Sequence, residues 1–266
     1  MIAVCLKWSL GDDRDERFVQ LSYADQAALE LALTTAARTG ETVRAVTAGP
    51  MGADTVLREA LAVGVDEVRR IELDADVPSA TVAAALRSAV ADCRFVWCGD
   101  YSSDRGSGSV PAFLAAELDY GQALGLIAVD LPERSDDPLR VRRRLDGGRR
   151  EVLEIRGPAV LSVEGSTARL RRAPLRDTMT ASRAEIPVDQ PPLAAPPAVV
   201  EVGTTRPFRP RARVVPAPRG DRALDRVRMV TDTSAAKGHG EVVHLEPRPA
   251  AERIVSALRQ WNYLEP

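Results

Sequence analysis

Through residues 1–163 short apolar runs alternate with longer stretches whose apolar side chains recur at helical spacing. A chain patterned this way has few solutions: each run becomes a strand, each longer stretch a crossover helix, and the strands align in parallel with helices on both faces. The runs fall at 2–6, 43–48, 68–73, 95–99, 124–129 and 158–163. The helices are predicted over 24–37, 53–62, 79–92 and 111–118. Ser22 is placed as an N-cap with Asp25 three residues on as a shortened capping-box acid, and Gly40 and Gly64 are placed as stops. The unbroken FVWC of residues 95–98 implies burial on both faces and marks the central strand. Asp146-Gly147-Gly148 between runs at 141–145 and 152–155 predicts an antiparallel hairpin. The expected fold is therefore α/β, a doubly wound and mostly parallel sheet carrying one hairpin.

Beyond it the pattern fails. Residues 187–218 hold nine prolines and almost no periodicity, which predicts an extended linker after a domain of residues 1–186. Residues 219–266 read as an extended C-terminal arm: a short strand is expected over 242–245, then a helix over 249–261 with Ile254, Leu258 and Trp261 on one face, a stripe that needs a surface to dock on.

Charge narrows the function classes. With 36 basic and 38 acidic residues the formal net charge is −2, which disfavours a general nucleic-acid binder, although the halves differ. Residues 1–136 carry 12 basic and 22 acidic groups, and residues 137–266 carry 24 and 16. Cys5, Cys93 and Cys98 are odd in number with no C-x-x-C pair, the start lacks a signal-peptide pattern, and no apolar run approaches the ~20 residues that span a bilayer. A soluble, reduced, cytoplasmic protein without membrane insertion is expected. His239 and His244 offer little material for a metal site or a histidine-based triad, so no catalytic residue and no metal ligand is assigned.

In open parallel sheets ligands sit beyond the carboxyl ends of the strands. The loop after the central strand is G-D-Y-S-S-D-R-G-S-G-S-V-P, residues 99–111. Gly106 and Gly108 allow close backbone approach, Ser107 and Ser109 bring hydroxyls, and the following helix directs free N–H groups at the same spot. Such a loop suits a phosphate, and it equally suits an ordinary strand-to-helix turn. No G-x-x-x-x-G-K-[ST] and no G-x-G-x-x-G after the first strand is present.

Several separated stretches agree with one family. The first strand ending at Lys7, the helix entry Leu21-Ser22-Tyr23-Ala24-Asp25, GPMGADTVLREALAVGVDE over 49–67, RLDGG over 144–148, PAVLSV over 158–163 and APLRDTMTASR over 173–183 resemble, in that order and spacing, the beta subunit of electron transfer flavoproteins. The resemblance covers residues 1–186, with a weaker echo in the tail. It implies the adenine-nucleotide-binding fold of that family, related to the adenine nucleotide alpha hydrolases, an alpha subunit holding most of the redox FAD, and a heterodimer whose beta chain binds a structural nucleotide, AMP or another adenine nucleotide. Carried over residue by residue, the cofactor-binding positions are Cys5, Leu21, Ser22, Tyr23, Ala24, Ala48, Gly99, Asp100, Asp104, Arg105, Gly106, Ser107, Gly108, Ser109 and Val110.

The chain departs from the family in places. Ser109-Val110-Pro111 stands where Gln-[TV]-Gly is common, Arg105 and Gly106 replace acidic residues, and residues 9–20 are shorter than the family's hairpin, marking a divergent paralogue. Arg105 has the chemistry to pair a phosphate. Tyr23, at the family's Phe position, reads as an aromatic wall for the flavin or as packing at a helix start.

The resemblance also implies that residues 169–183 recognise a partner dehydrogenase through Leu175, with Arg171, Arg172 and Arg176 steering an acidic surface; a merely solvated basic face is the alternative. The function implied is an electron carrier subunit passing electrons from a flavin-dependent dehydrogenase to a quinone-linked acceptor, with no acid–base chemistry of its own. Two rivals share the layered fold: a stand-alone nucleotide-binding protein of universal-stress type, which has no use for the arm, and a nucleotide-cleaving enzyme, for which S-G-G-x-D-S is missing.

Overall fold

The computed structural model describes residues 1–9, 19–75, 77–102, 104, 106–132, 134, 137–191, 222–231, 243–261 and 263–264. They belong to two units, Met1–Val202 and Gly203–Pro266.

The first unit is a nine-stranded sheet. Its elements follow the order β1 (Ile2–Cys5), α1 (Tyr23–Thr39), β2 (Val43–Gly49), α2 (Asp54–Ala62), β3 (Glu67–Glu72), α3 (Ser79–Val90), β4 (Phe95–Gly99), α4 (Val110–Leu118), β5 (Gly121–Asp130), β6 (Leu139–Arg144), β7 (Arg150–Ile155), β8 (Ala159–Val163), α5 (Leu175–Ala181) and β9 (Val188–Asp189). Across the sheet they lie β7-β6-β5-β8-β4-β1-β2-β3-β9. All neighbours are parallel except β5–β6 and β6–β7; β6–β7 is the expected hairpin around Asp146-Gly147-Gly148, and the antiparallel pairing of β5 with β6 is additional to it. Gly147 and Gly148 take φ of 69° and 74°, a left-handed pair that turns the chain between the strands.

Two apolar layers explain the unbroken runs. Ile2, Val4, Phe95 and Trp97 point into a core built with α1 and α2, whereas Ala3, Cys5, Val96 and Cys98 point into a second core built with α3 and α4. Every residue of IAVC and FVWC is thus buried, and β4 occupies the middle of the sheet as its sequence implied. Ser22 caps α1, its Oγ accepting from Asp25 N at 3.0 Å, and Gly40 closes the helix in the left-handed conformation.

The chain after Ile186 departs from expectation. Residue 187 does not begin a free linker: Val188–Asp189 add a ninth strand parallel to β3, with Arg70 N donating to Pro187 O at 3.0 Å and Arg69 pairing with Asp189. Two residues in a proline-rich stretch carry no periodicity to announce a strand. The backbone of the β3 edge recruits them. Residues 192–218 of the expected linker lie outside the described residues.

The second unit contains α6 (Ala223–Thr231) and α7 (Pro247–Gln260). Residues 243–246 are irregular where a strand was expected, because no neighbouring strand among the described residues offers them a ladder. Of the apolar stripe, Ile254 and Trp261 are each 61% exposed and Leu258 is half-buried. Among the described residues no helix is long and apolar enough to cross a membrane.

Candidate functional site

The carboxyl ends of β1, β2 and β4 surround a cleft of about 420 Å³. Its position follows from topology: β1 leads through α1 to β2 on one side, while β4 lies on the other, so the strand order reverses beside β1. A crevice opens where consecutive crossovers leave for opposite faces of the sheet. The volume is that of a small-molecule site.

Of the positions singled out in the sequence, Cys5, Ala48, Gly99, Asp104, Ser107, Gly108, Ser109 and Val110 line this cleft together. Leu21, Ser22, Tyr23, Ala24, Asp100 and Gly106 do not, and Arg105 lies outside the described residues. Leu21 is a core residue. Tyr23 and Ala24 pack their backbone against Gly99 and Gly165; a Cβ on Gly165 would stand 2.8 Å from that of Tyr23. The Tyr23 side chain is 81% exposed.

The loop after β4 is folded on itself. Gly108 has φ of 55°, and a Cβ there would fall 2.2 Å from the Asp100 carbonyl oxygen. Glycine at 108 therefore serves the loop's own closure before any ligand's. Gly106 accommodates the Tyr101 ring, to which a Cβ would come within 3.1 Å. Asp100 N donates to Val163 O at 3.1 Å, and Ser107 Oγ and Ser109 Oγ share a hydrogen bond of 3.1 Å. Burial, with Glu164 nearby, raises the Asp100 carboxyl above its ordinary range.

Other lining residues were not singled out as site residues. Lys7 Nζ pairs with Asp104 and donates to Ser102 Oγ at 3.0 Å, tying the end of β1 to the loop. Trp8 and Pro50 form another part of the wall; the Trp8 ring occupies space that Gly52 leaves open, and its buried Nε1 has no hydrogen-bond partner among the described residues. Asp74 and Ser79 bring in the loop before α3 and that helix's first residue. The N-terminal ends of α3 and α4 therefore both open on the cleft, a setting that favours an anion. Asp25, read in the sequence only as a capping acid, is buried in the lining, and burial raises its carboxyl to about 7 against the hydrogen bonds of Ser22, Lys7 and Gly99. Proximity to strand ends was the available signal for Lys7 and Trp8.

Cys5 and Cys98 are opposite one another on β1 and β4, and both thiols are free and buried. Their mutual hydrogen bond, then burial, pushes the Cys98 thiol well above its usual range, so it stays protonated and inert.

The segment expected to face a partner crosses the outside of α1 and α2. Leu175 is the first residue of α5 and is 76% exposed, with Met179 one turn on and also exposed. Arg172 and Arg176 are exposed beside them. Arg171 is not available for steering in the same way, because it is bound to Glu30 of α1.

The family model for the electron transfer flavoprotein domain matches residues 14–192. The electron transfer flavoprotein subunit beta of Methylophilus methylotrophus is 30% identical over 195 residues, 69% of this chain and 72% of that one. The corresponding subunit of Dictyostelium discoideum is 30% identical over 149 residues, 55% of this chain and 58% of its own. Protein FixA of Bradyrhizobium diazoefficiens is 28% identical over 171 residues, covering 61% and 59%. The chain spans between half and three fifths of the length of several of these relatives.

Proposed function

Because the chain belongs to the electron transfer flavoprotein family and is of the beta-subunit type, we propose that it is one half of a two-chain electron carrier. Its partner is an alpha subunit that holds most of the FAD. The carrier takes electrons from a flavin-dependent dehydrogenase and delivers them to a quinone-linked acceptor in the cytoplasm. Three free, buried thiols accord with a reducing compartment.

The observation that carries this reading is the cleft at the strand reversal, lined by eight of the positions that the family resemblance assigns to a nucleotide. The fit is physical as well as positional. Two helix N-termini and the 107–110 backbone suit a phosphate, the volume suits a mononucleotide, and Trp8 Nε1 is a buried donor with no hydrogen-bond partner among the described residues. In this reading Ser107, Gly108, Ser109 and Val110 hold the phosphate of AMP, and Cys5 and Ala48 form the floor. FAD, when bound, supplies the one- and two-electron chemistry. This chain contributes the exposed Tyr23 as a wall, excludes water, and presents Leu175 for docking. It moves no proton in the reaction.

Co-expression of the full chain with an alpha-subunit homologue tests the proposal. The expected product is a 1:1 complex that releases one FAD and one AMP on denaturation. A complex with FAD alone would remove the nucleotide assignment. A lone monomer that binds ATP and no second chain would overturn the carrier reading in favour of a stand-alone nucleotide binder.

A further inference from the structure

Asp25 is 4% exposed, and a carboxyl group persists in such a place only where hydrogen bonds replace its water. Three donors do so. Ser22 Oγ donates to Oδ2 at 2.9 Å, and the backbone N–H groups of Lys7 and Gly99 donate to the same carboxyl. They come from the cap of α1, the segment just past β1 and the last residue of β4. Those two strands are direct neighbours, Cys5 opposite Cys98, and the cleft opens beyond their ends. Gly99 makes the contact possible, since a Cβ there would stand 2.8 Å from Asp25 Oδ1 and 2.9 Å from Asp25 N.

From this geometry we propose that Asp25 is a positioning residue of the nucleotide cleft: its carboxyl holds the ends of β1 and β4 at the spacing the ligand needs, without itself bonding the ligand. The proposal rests on the nucleotide reading above. It differs from simple helix capping, which Ser22 performs through its own Oγ.

The geometry also makes the site sensitive to charge. Among the described residues the titratable groups facing Asp25 are Lys7, already paired with Asp104, and Cys98, hydrogen-bonded to Cys5. With its carboxyl raised to about 7, Asp25 is mostly neutral at pH 6 and mostly ionised at pH 8. A neutral acid tolerates an anionic ligand nearby, whereas a buried carboxylate repels it.

The test measures binding of AMP to the full chain, in complex with its alpha subunit, for the wild type, Asp25→Ala and Asp25→Asn. Alanine removes every acceptor, so affinity should fall tenfold or more. Asparagine keeps a carbonyl and stays neutral, so at pH 6 it should bind within threefold of the wild type. Between pH 6 and pH 8 the wild type should lose affinity relative to Asp25→Asn, by at least threefold. AMP's own ionisation cancels in that ratio. If Asp25→Ala fails to fold, the wild-type to asparagine ratio alone decides. A folded Asp25→Ala that binds like the wild type, or a ratio constant with pH, overturns the positioning role and leaves the nucleotide reading standing. Wild-type protein that binds no AMP at either pH overturns both.

Discussion

Arg171 grips the Glu30 carboxylate through Nε at 3.0 Å and a terminal nitrogen at 2.9 Å, and its own backbone N–H adds a third bond of 3.0 Å. Burial alone would raise the Glu30 carboxyl, but these bonds and the arginine charge hold it below its ordinary value. The pair fastens the segment leading to α5 onto α1. Glu30→Gln should therefore cost about 1 kcal/mol of stability, since the pair is partly exposed. Trypsin should cut sooner at Arg169, Arg171 and Arg172. Equal digestion of variant and wild type would show that other contacts hold the segment.

Gly108→Val forces a side chain into the Asp100 carbonyl oxygen and a left-handed backbone on a β-branched residue. The loop should reorganise, with a loss of ~1–3 kcal/mol and release of bound nucleotide, while the sheet stays folded. Gly148→Ala is the control: its φ is also positive, but its Cβ meets open space, so it should carry the strain alone, about 1 kcal/mol, and keep the nucleotide. Chemical denaturation and nucleotide analysis of both variants decide the point.

The stability of the folded chain should carry the mark of Asp25. Folding raises this carboxyl from 3.8 to about 7, so between those values the folded state holds the extra proton. Stability from this group is then greatest below pH 4, declines as pH rises to about 7, and is level above. Asp25→Asn removes the decline. Unfolding free energies from urea denaturation at pH 5 and pH 8 should thus converge in the variant relative to the wild type, by an amount on the order of a few kcal/mol at most. Parallel pH dependence would place the titration elsewhere.

Leu175→Ala should leave the unfolding transition within about 0.5 kcal/mol of the wild type, as expected of a surface substitution. If the leucine anchors the dehydrogenase, its truncation should cost roughly 2 kcal/mol of docking and raise the apparent KM for the carrier about thirtyfold. A less stable protein with unchanged kinetics would return Leu175 to a structural role.

What could be read along the chain was whatever repeats locally. Each apolar run became a strand because a residue buried on both faces needs no polar alternation, and Ser22 and Gly40 act within one turn of their own positions. What could not be read depends on groups distant in sequence. Asp25 looks like any acid in a first helical turn until Lys7 and Gly99 arrive from two strands. Arg171 and Arg172 are indistinguishable as letters, and only Glu30 on α1 tells them apart. The strand Val188–Asp189 exists because the β3 edge has hydrogen bonds to give, a property of β3 and not of the two residues.

That short strand changes what α5 is. With β8 beside the central strand and β9 at the sheet's edge, residues 164–187 form a strap anchored at both ends and pinned between them by Arg171, not a hanging loop. A partner that met Leu175 would find it already presented, with little chain freedom left to surrender on contact. One small apolar knob on a stiff mount favours encounters that form quickly and part quickly, which suits the two-partner carrier role proposed above.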